Sequence, residues 1–249
     1  MPTAVDQGRL APATLRADAA TWGRELRAAG IDMNFAPVMD VVPAGTEQQN
    51  RPIGALQREF GNDPSTVSAH GVAFLRGMAA AGVATTAKHF PGLGRVTGNT
   101  DVAADVVDTV TTADDPYLQP FRSAIRASVP MVMVALATYT KIDPSRLAVF
   151  SPVVMRLLRD TEGFRGVIVS DDLGATAAVS NVPPGARAID FLEAGGDLTV
   201  SKLVAVADRM AAAVLAKTRS DPAFRAVVRD AVVHVLRAKE ASNLMPCTG

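Results

Sequence analysis

The chain has 249 residues, with 25 Lys+Arg against 25 Asp+Glu, a formal net charge of zero, and 48% apolar residues. That apolar fraction supplies a core and excludes a disordered chain. The lack of any basic stripe argues against nucleic acid or an acidic membrane surface as partner.

The longest apolar runs, such as Met131 to Ala137, are too short to cross a bilayer. Met1 to Gln7 has no basic stretch followed by an apolar core, so no signal peptide is visible and the chain as it stands reads as cytoplasmic. Cys247 is the single cysteine and has no internal partner for a disulfide.

In chain order, short apolar runs alternate with longer segments of helical period, the pattern of repeated βα units on a parallel sheet. Strands are predicted at Met33 to Met39, Ala84 to His89, Met131 to Leu136, Val167 to Ser170 and Leu198 to Val200, with a sixth at Thr3 to Asp6. Most are apolar at consecutive positions, as strands covered on both faces should be.

Helices are predicted over Pro12 to Ala29 and Pro64 to Ala81, each ending at a glycine. Others open after Asp114-Asp115 at Pro116, after Ser151 at Pro152, and at Pro222 for a long amphipathic helix reaching Ala241. No repeat or linker interrupts the chain, so residues 1 to 249 read as a single domain. Six strands fall short of the eight that close a TIM-type (β/α) barrel, so either two strands are not visible or the barrel lacks a piece of its fold.

Polar clusters follow three of the predicted strands, on the face where the βα loops of barrel enzymes converge. Val167-Ile-Val-Ser ends in Asp171-Asp172, and strand alternation sends the two carboxylates to opposite sides. One of them then enters the barrel mouth as a nucleophile or ligand, or the pair merely caps the next helix.

Lys88-His89 ends another strand and precedes a loop with Gly92, Gly94 and Gly98, which suits close approach to a ligand or a lid. Its donors and acceptors fit sugar hydroxyls, and the alternative is a buried structural lysine with a core histidine. After Asp40, the loop Asn50 to Arg58 offers an arginine to a ligand oxygen, or to an ion pair with Glu59 or Asp63. His70 and His234 lie within helical stretches with nothing chemical spaced around them and are read as packing or solvated positions. Metal-ligand spacing, a phosphate-binding glycine loop and a G-x-S-x-G elbow are all lacking, so neither metal nor organic cofactor is implied.

Four ordered segments carry a family resemblance: Ala29-Gly-Ile-Asp-Met-Asn-Phe-Ala-Pro-Val-Met-Asp40, Arg58-Glu-Phe-Gly-Asn-Asp63-Pro, Lys88-His-Phe-Pro-Gly92 and Gly163-Phe-Arg-Gly-Val-Ile-Val-Ser-Asp-Asp172. From Leu26 to Gly196 the chain resembles the single-domain β-N-acetylglucosaminidases of glycoside hydrolase family 3 that process peptidoglycan fragments.

The resemblance implies Asp171 as nucleophile, Arg58, Lys88 and His89 as ligands of the terminal sugar, and Asp40 as a structural group of the same pocket. Val5-Asp6-Gln-Gly-Arg9 is similar to a shortened D-Q-E-G-G-R, whose Asp binds sugar hydroxyls, so Asp6 is carried over as a sugar ligand. In relatives, the loop after K-H-F-P-G holds an Asp-x-His pair whose His is the general acid/base. Here Asn99 and Asp101 stand in those places, which implies Asp101 as proton donor.

The implied activity is that of a retaining exo-β-N-acetylhexosaminidase acting on GlcNAc-containing muropeptides or chitooligosaccharides, the carbohydrate being the expected partner. Rival readings are a non-catalytic remnant that binds sugar weakly or is structural, and a phosphorylase using the same covalent intermediate. The resemblance also implies a longer N-terminal region in relatives, including the first strands, so the (β/α) barrel is expected to be incomplete at its N-terminus; an export signal to the cell envelope would lie in that region.

Overall fold

The computed structural model describes residues 1–245; Cys247 lies outside them. The elements run α1 (Ala4–Gln7), α2 (Pro12–Ala28), β1 (Met33–Asn34), α3 (Pro64–Ala80), β2 (Ala84–Phe90), β3 (Val107–Asp108), α4 (Gln119–Arg126) and β4 (Met131–Val134). They continue with β5 (Thr138–Tyr139), β6 (Asp143–Leu147), α5 (Pro152–Arg156), β7 (Val167–Asp172), α6 (Pro184–Ala194), β8 (Leu198–Val200), α7 (Val204–Ser220) and α8 (Pro222–Ala241).

Five of these strands form one sheet in the order β1-β2-β4-β7-β8, every pairing parallel. This is half of a barrel, with β1 and β8 at its edges. A second sheet, β3-β5-β6, was not legible in the sequence, because its strands are two to five residues long and carry no apolar run. Helices α6 and α7 were also unanticipated.

The predicted strand at Thr3 to Asp6 is instead α1. Thr3 caps it: its hydroxyl accepts from the Asp6 amide at 3.2 Å and donates to the Asp6 carboxylate at 2.9 Å. This Thr-x-x-Asp exchange favours a helical turn over a strand. The predicted Met33 to Met39 strand is cut to Met33–Asn34, because Pro37 has no N–H for the ladder. The chain beyond stays beside β2, with the Met39 amide donating to the Lys88 carbonyl at 2.6 Å and the Lys88 amide to the Pro37 carbonyl at 3.1 Å. Asp40 is thereby delivered to the end of the sheet.

Alternation along the parallel strands sorts residues between two apolar layers. Val132, Val134 and Ile168 face the main core outside the sheet. Met131, Met133, Val167 and Val169 face inward, where Val235 and Ala238 of α8 pack against them. The last helix thus fills the lower interior of the half-barrel, leaving the upper end to the residues at the strand termini.

Two histidines that looked featureless in sequence turn out to tie segments together. His70, buried on α3, lies 2.8 Å from the Thr66 carbonyl and 2.9 Å from the Leu10 carbonyl through its two ring nitrogens. His234 on α8 lies 2.8 Å from Asp197, which also accepts from Arg159 and from the Ile168 amide. These contacts dock the N-terminal segment on α3 and the C-terminal helix on the base of β7.

Candidate active site

Arg58, Lys88, His89, Asp101 and Asp171 border one cavity of about 240 Å³ at the C-terminal ends of the strands, with Phe35 and Met133 among its apolar walls. The register explains the convergence. Lys88 on β2 pairs with Met133 on β4, and Met133 pairs with Val169 on β7, two residues before Asp171. Lys88 therefore points inward level with Met133 and Val169, and Asp171 points inward one layer above them.

The Asp171-Asp172 pair divides both roles that the sequence left open. Asp171 continues the inward series Val167, Val169 and is partly exposed in the cavity. Asp172, 1% exposed, points the other way and acts as a turn anchor. It accepts from the amides of Gly174 at 2.8 Å, Ala175 at 3.1 Å and Lys202 at 2.9 Å. Asp172 is thus held by three backbone donors, whereas Asp171 accepts only the Asp172 amide at 2.8 Å and borders the cavity.

His89 is buried and fixed by Asp40, itself without exposed surface. The Asp40 carboxylate lies 2.8 Å from His89 Nδ1 and accepts the amides of His89 at 3.2 Å and Leu93 at 2.8 Å. A carboxylate only accepts, so Nδ1 carries the proton and donates it. On the other side of the ring, Arg58 Nη2 lies 3.5 Å from Nε2. Arg58 also donates from Nη1 to the Pro52 carbonyl at 2.7 Å. It is held toward the cavity rather than in an ion pair with Glu59 or Asp63, and Asp63 instead caps α3.

Burial beside Lys88 disfavours its charge, and the Arg58 guanidinium adds to this; Asp171 and Asp40 only partly compensate. The net result is a fall from the usual 10.5 to about 8. Between those two values the folded chain binds fewer protons than the unfolded chain, so this lysine's contribution to stability rises with pH from about 8 to 10.5. The charged lysine thus costs stability at neutral pH. Lys88→Met is expected to stabilise the fold at pH 7 by roughly 1–3 kcal/mol in urea denaturation, with the gain shrinking above pH 8. A variant less stable than the parent at pH 7 would show that the attraction of Asp171 and Asp40 outweighs burial.

The glycine-rich loop after Lys88-His89 is fastened over its first half. Gly94 packs so tightly on the Val41 carbonyl that a Cβ there would sit 1.8 Å from that oxygen. Asn50 donates to the carbonyls of Leu93 and Val96, both at 2.7 Å, and Tyr139 donates to the Gly92 carbonyl at 2.8 Å. Asn50 opens the third polar cluster in the sequence without a role of its own being legible there, and it binds the loop of Arg58 to the loop of Lys88. Further on, Asn99 accepts the Asp101 amide at 3.0 Å. The Thr100 and Asp101 carbonyls each accept an amide from the turn after β7, Ala178 and Ala177 respectively, at 3.2 Å.

Asp6 does not join the others. It lies on the surface, paired with Arg9 at 2.9 Å and engaged in the cap of α1, and it is not among the residues that border the cavity. The shortened motif folds as a capped turn, which commits its carboxylate locally. Lys202, which the sequence reading did not single out, borders the cavity after β8.

Carboxylates, a lysine and an Asp-held histidine at the C-terminal rim of a parallel α/β half-barrel stand where barrel enzymes carry their active sites. Residues 7–238 match the model of the glycosyl hydrolase family 3 N-terminal domain, and the chain belongs to that family.

Among individual relatives, a β-hexosaminidase of Stenotrophomonas maltophilia is 39% identical over 180 residues, 71% of this chain and 51% of that protein. One from Xanthomonas campestris is 37% identical over 198 residues, 78% and 56% of the two chains. The chain therefore spans about half the length of the curated relatives it matches. Among solved structures, the β-N-acetylhexosaminidase of Beutenbergia cavernae superposes with a TM-score of 0.95 at 53% identity, covering 96% of this chain and 72% of that one. M. tuberculosis LpqI does so at 0.86 and 29%, covering 96% and 70%.

Proposed function

We propose that the chain is a retaining exo-β-N-acetylhexosaminidase that removes terminal N-acetylglucosamine from muropeptides or chitooligosaccharides. The observation that carries this reading is the cavity itself. Asp171 enters it from the end of β7, opposite Lys88, Arg58 and the Asp40-held His89. Three carboxylates and three cations border the cavity (Asp101, Asp171, Asp172; Arg58, Lys88, Lys202), a balance that suits an uncharged polar ligand over an anion. Family membership and the β-hexosaminidase names of its relatives support the same chemistry.

In this scheme the Asp171 carboxylate attacks the anomeric carbon while Asp101 gives a proton to the departing glycosidic oxygen, leaving a glycosyl ester on Asp171. Asp101, now ionised, takes a proton from water, which attacks the same carbon and regenerates both groups. Lys88, Arg58 and His89 hold the hydroxyls or the acetamido group of the terminal sugar.

The fold supports a rival as well. A parallel sheet of five strands with β1 and β8 at its edges suits a remnant that binds sugar without turning it over. Release of aryl alcohol from an aryl N-acetyl-β-glucosaminide by the purified, cooperatively unfolding chain is the discriminating assay. Turnover without added phosphate supports a hydrolase over a phosphorylase, and no turnover with measurable sugar binding supports the remnant. In either case affinity for N-acetylglucosamine is expected to fall as pH rises through about 8, where Lys88 loses its charge. Calorimetric titration at pH 6.5 and 9 checks this, and an affinity independent of pH would take Lys88 out of the sugar contacts.

A further inference from the structure

Asp101 is fixed at its main chain but has little to orient its side chain. Its amide and carbonyl are both bonded, whereas among the described residues the carboxylate has one cationic partner, the Lys202 ammonium at 3.5 Å. Lys202 is itself well placed to act as a fixed reference. It follows β8, which pairs with β7 through Val200 and Asp172, and its amide donates to Asp172 at 2.9 Å. Its ammonium lies 3.7 Å from the other Asp172 oxygen. Asp172 is immobilised in turn by the Gly174 and Ala175 amides. A chain of contacts thus runs from the buried Asp172 through Lys202 to the half-exposed Asp101.

We infer that Lys202 is a positioning residue for the Asp101 carboxylate, holding it at the cavity for proton transfer. This rests on the reading of Asp101 as acid/base. The ion pair is solvent-exposed, with Lys202 at 60% and Asp101 at 54% side-chain exposure, so its weight in global stability is small. Its consequence lies in geometry, because a displacement of about 1 Å at a reacting group can cost on the order of 10²-fold in rate.

The test compares Lys202→Met, Lys202→Arg, Asp101→Ala and the Asp101→Ala/Lys202→Met double variant on chitobiose, whose leaving group needs a proton, and on an aryl N-acetylglucosaminide, whose leaving group does not. Lys202→Met is expected to lower kcat on chitobiose roughly 10- to 100-fold with little change in KM, and to change aryl turnover far less. Lys202→Arg should retain most of the activity, and the double variant should be no slower than Asp101→Ala alone.

An Lys202→Met effect that is absent, equal on both substrates, or undiminished in the Asp101→Ala background overturns the inference. If Asp101→Ala itself shows no leaving-group dependence, the acid/base reading fails and the inference falls with it. If Asp101→Ala shows that dependence and Lys202→Met does not, the inference alone fails. A melting temperature for Lys202→Met near that of the parent excludes loss of fold as the cause.

Discussion

Asp171→Asn is expected to reduce glycosidase turnover by roughly 10⁴-fold or more, the scale seen when a covalent nucleophile is removed, while leaving the melting temperature nearly unchanged. The reason for both halves lies in β7. The inward face of that strand reads Val167, Val169, Asp171, so the side chain ends in the cavity. The hydrogen bonds that hold the turn go to its neighbour Asp172. Replacing the Asp171 carboxylate by an amide keeps the shape and removes the nucleophile. A 2-deoxy-2-fluoro or 5-fluoro sugar with a good leaving group should label Asp171 alone, read by mass spectrometry of a protease digest. Label on Asp172 would reverse the assignment and would require that side chain to abandon three backbone donors.

Asp101→Ala is expected to lower kcat by about 10²–10⁴-fold on substrates with poor leaving groups, the usual contribution of a general acid. The loss should be much smaller on aryl substrates whose leaving group needs little protonation. Added azide should then accelerate breakdown of the glycosyl-enzyme and appear as glycosyl azide. This outcome separates Asp101 from residues that only bind sugar, whose loss affects good and poor leaving groups alike. Equal losses with no azide rescue would remove Asp101 from proton transfer and shift the weight to the sugar-binding remnant.

The two residues differ in how visible they were. Asp171 ends a run that is apolar at consecutive positions, so its strand, its terminal position and its neighbour's opposite orientation could all be read from order alone. Which of the pair faced inward could not, because that depends on which face of β7 meets α8. Asp101 sits on a loop with no periodicity, and only family spacing suggested it. Its partner Lys202 is 101 positions further on and carried no local signal.

The sequence by itself determined the five parallel strands, the helices α2, α3 and α8, and the position of each polar cluster at a strand end. Apolar periodicity and end-capping residues are local properties, and the strong segments followed them: Ser151 caps its helix as expected, and Asp63 caps α3. Local chemistry also explains the misread start, where Thr3 and Asp6 exchange hydrogen bonds that make a helical turn. Tertiary structure alone decided which polar groups became rigid and which stayed available. Asp172, Asp40 and Asn50 are taken up by backbone groups distant in the chain. Lys88 acquired its lowered pKa the same way, by being enclosed with Arg58. Burial and long-range partners set these outcomes, and neither is encoded in the spacing of residues along the chain.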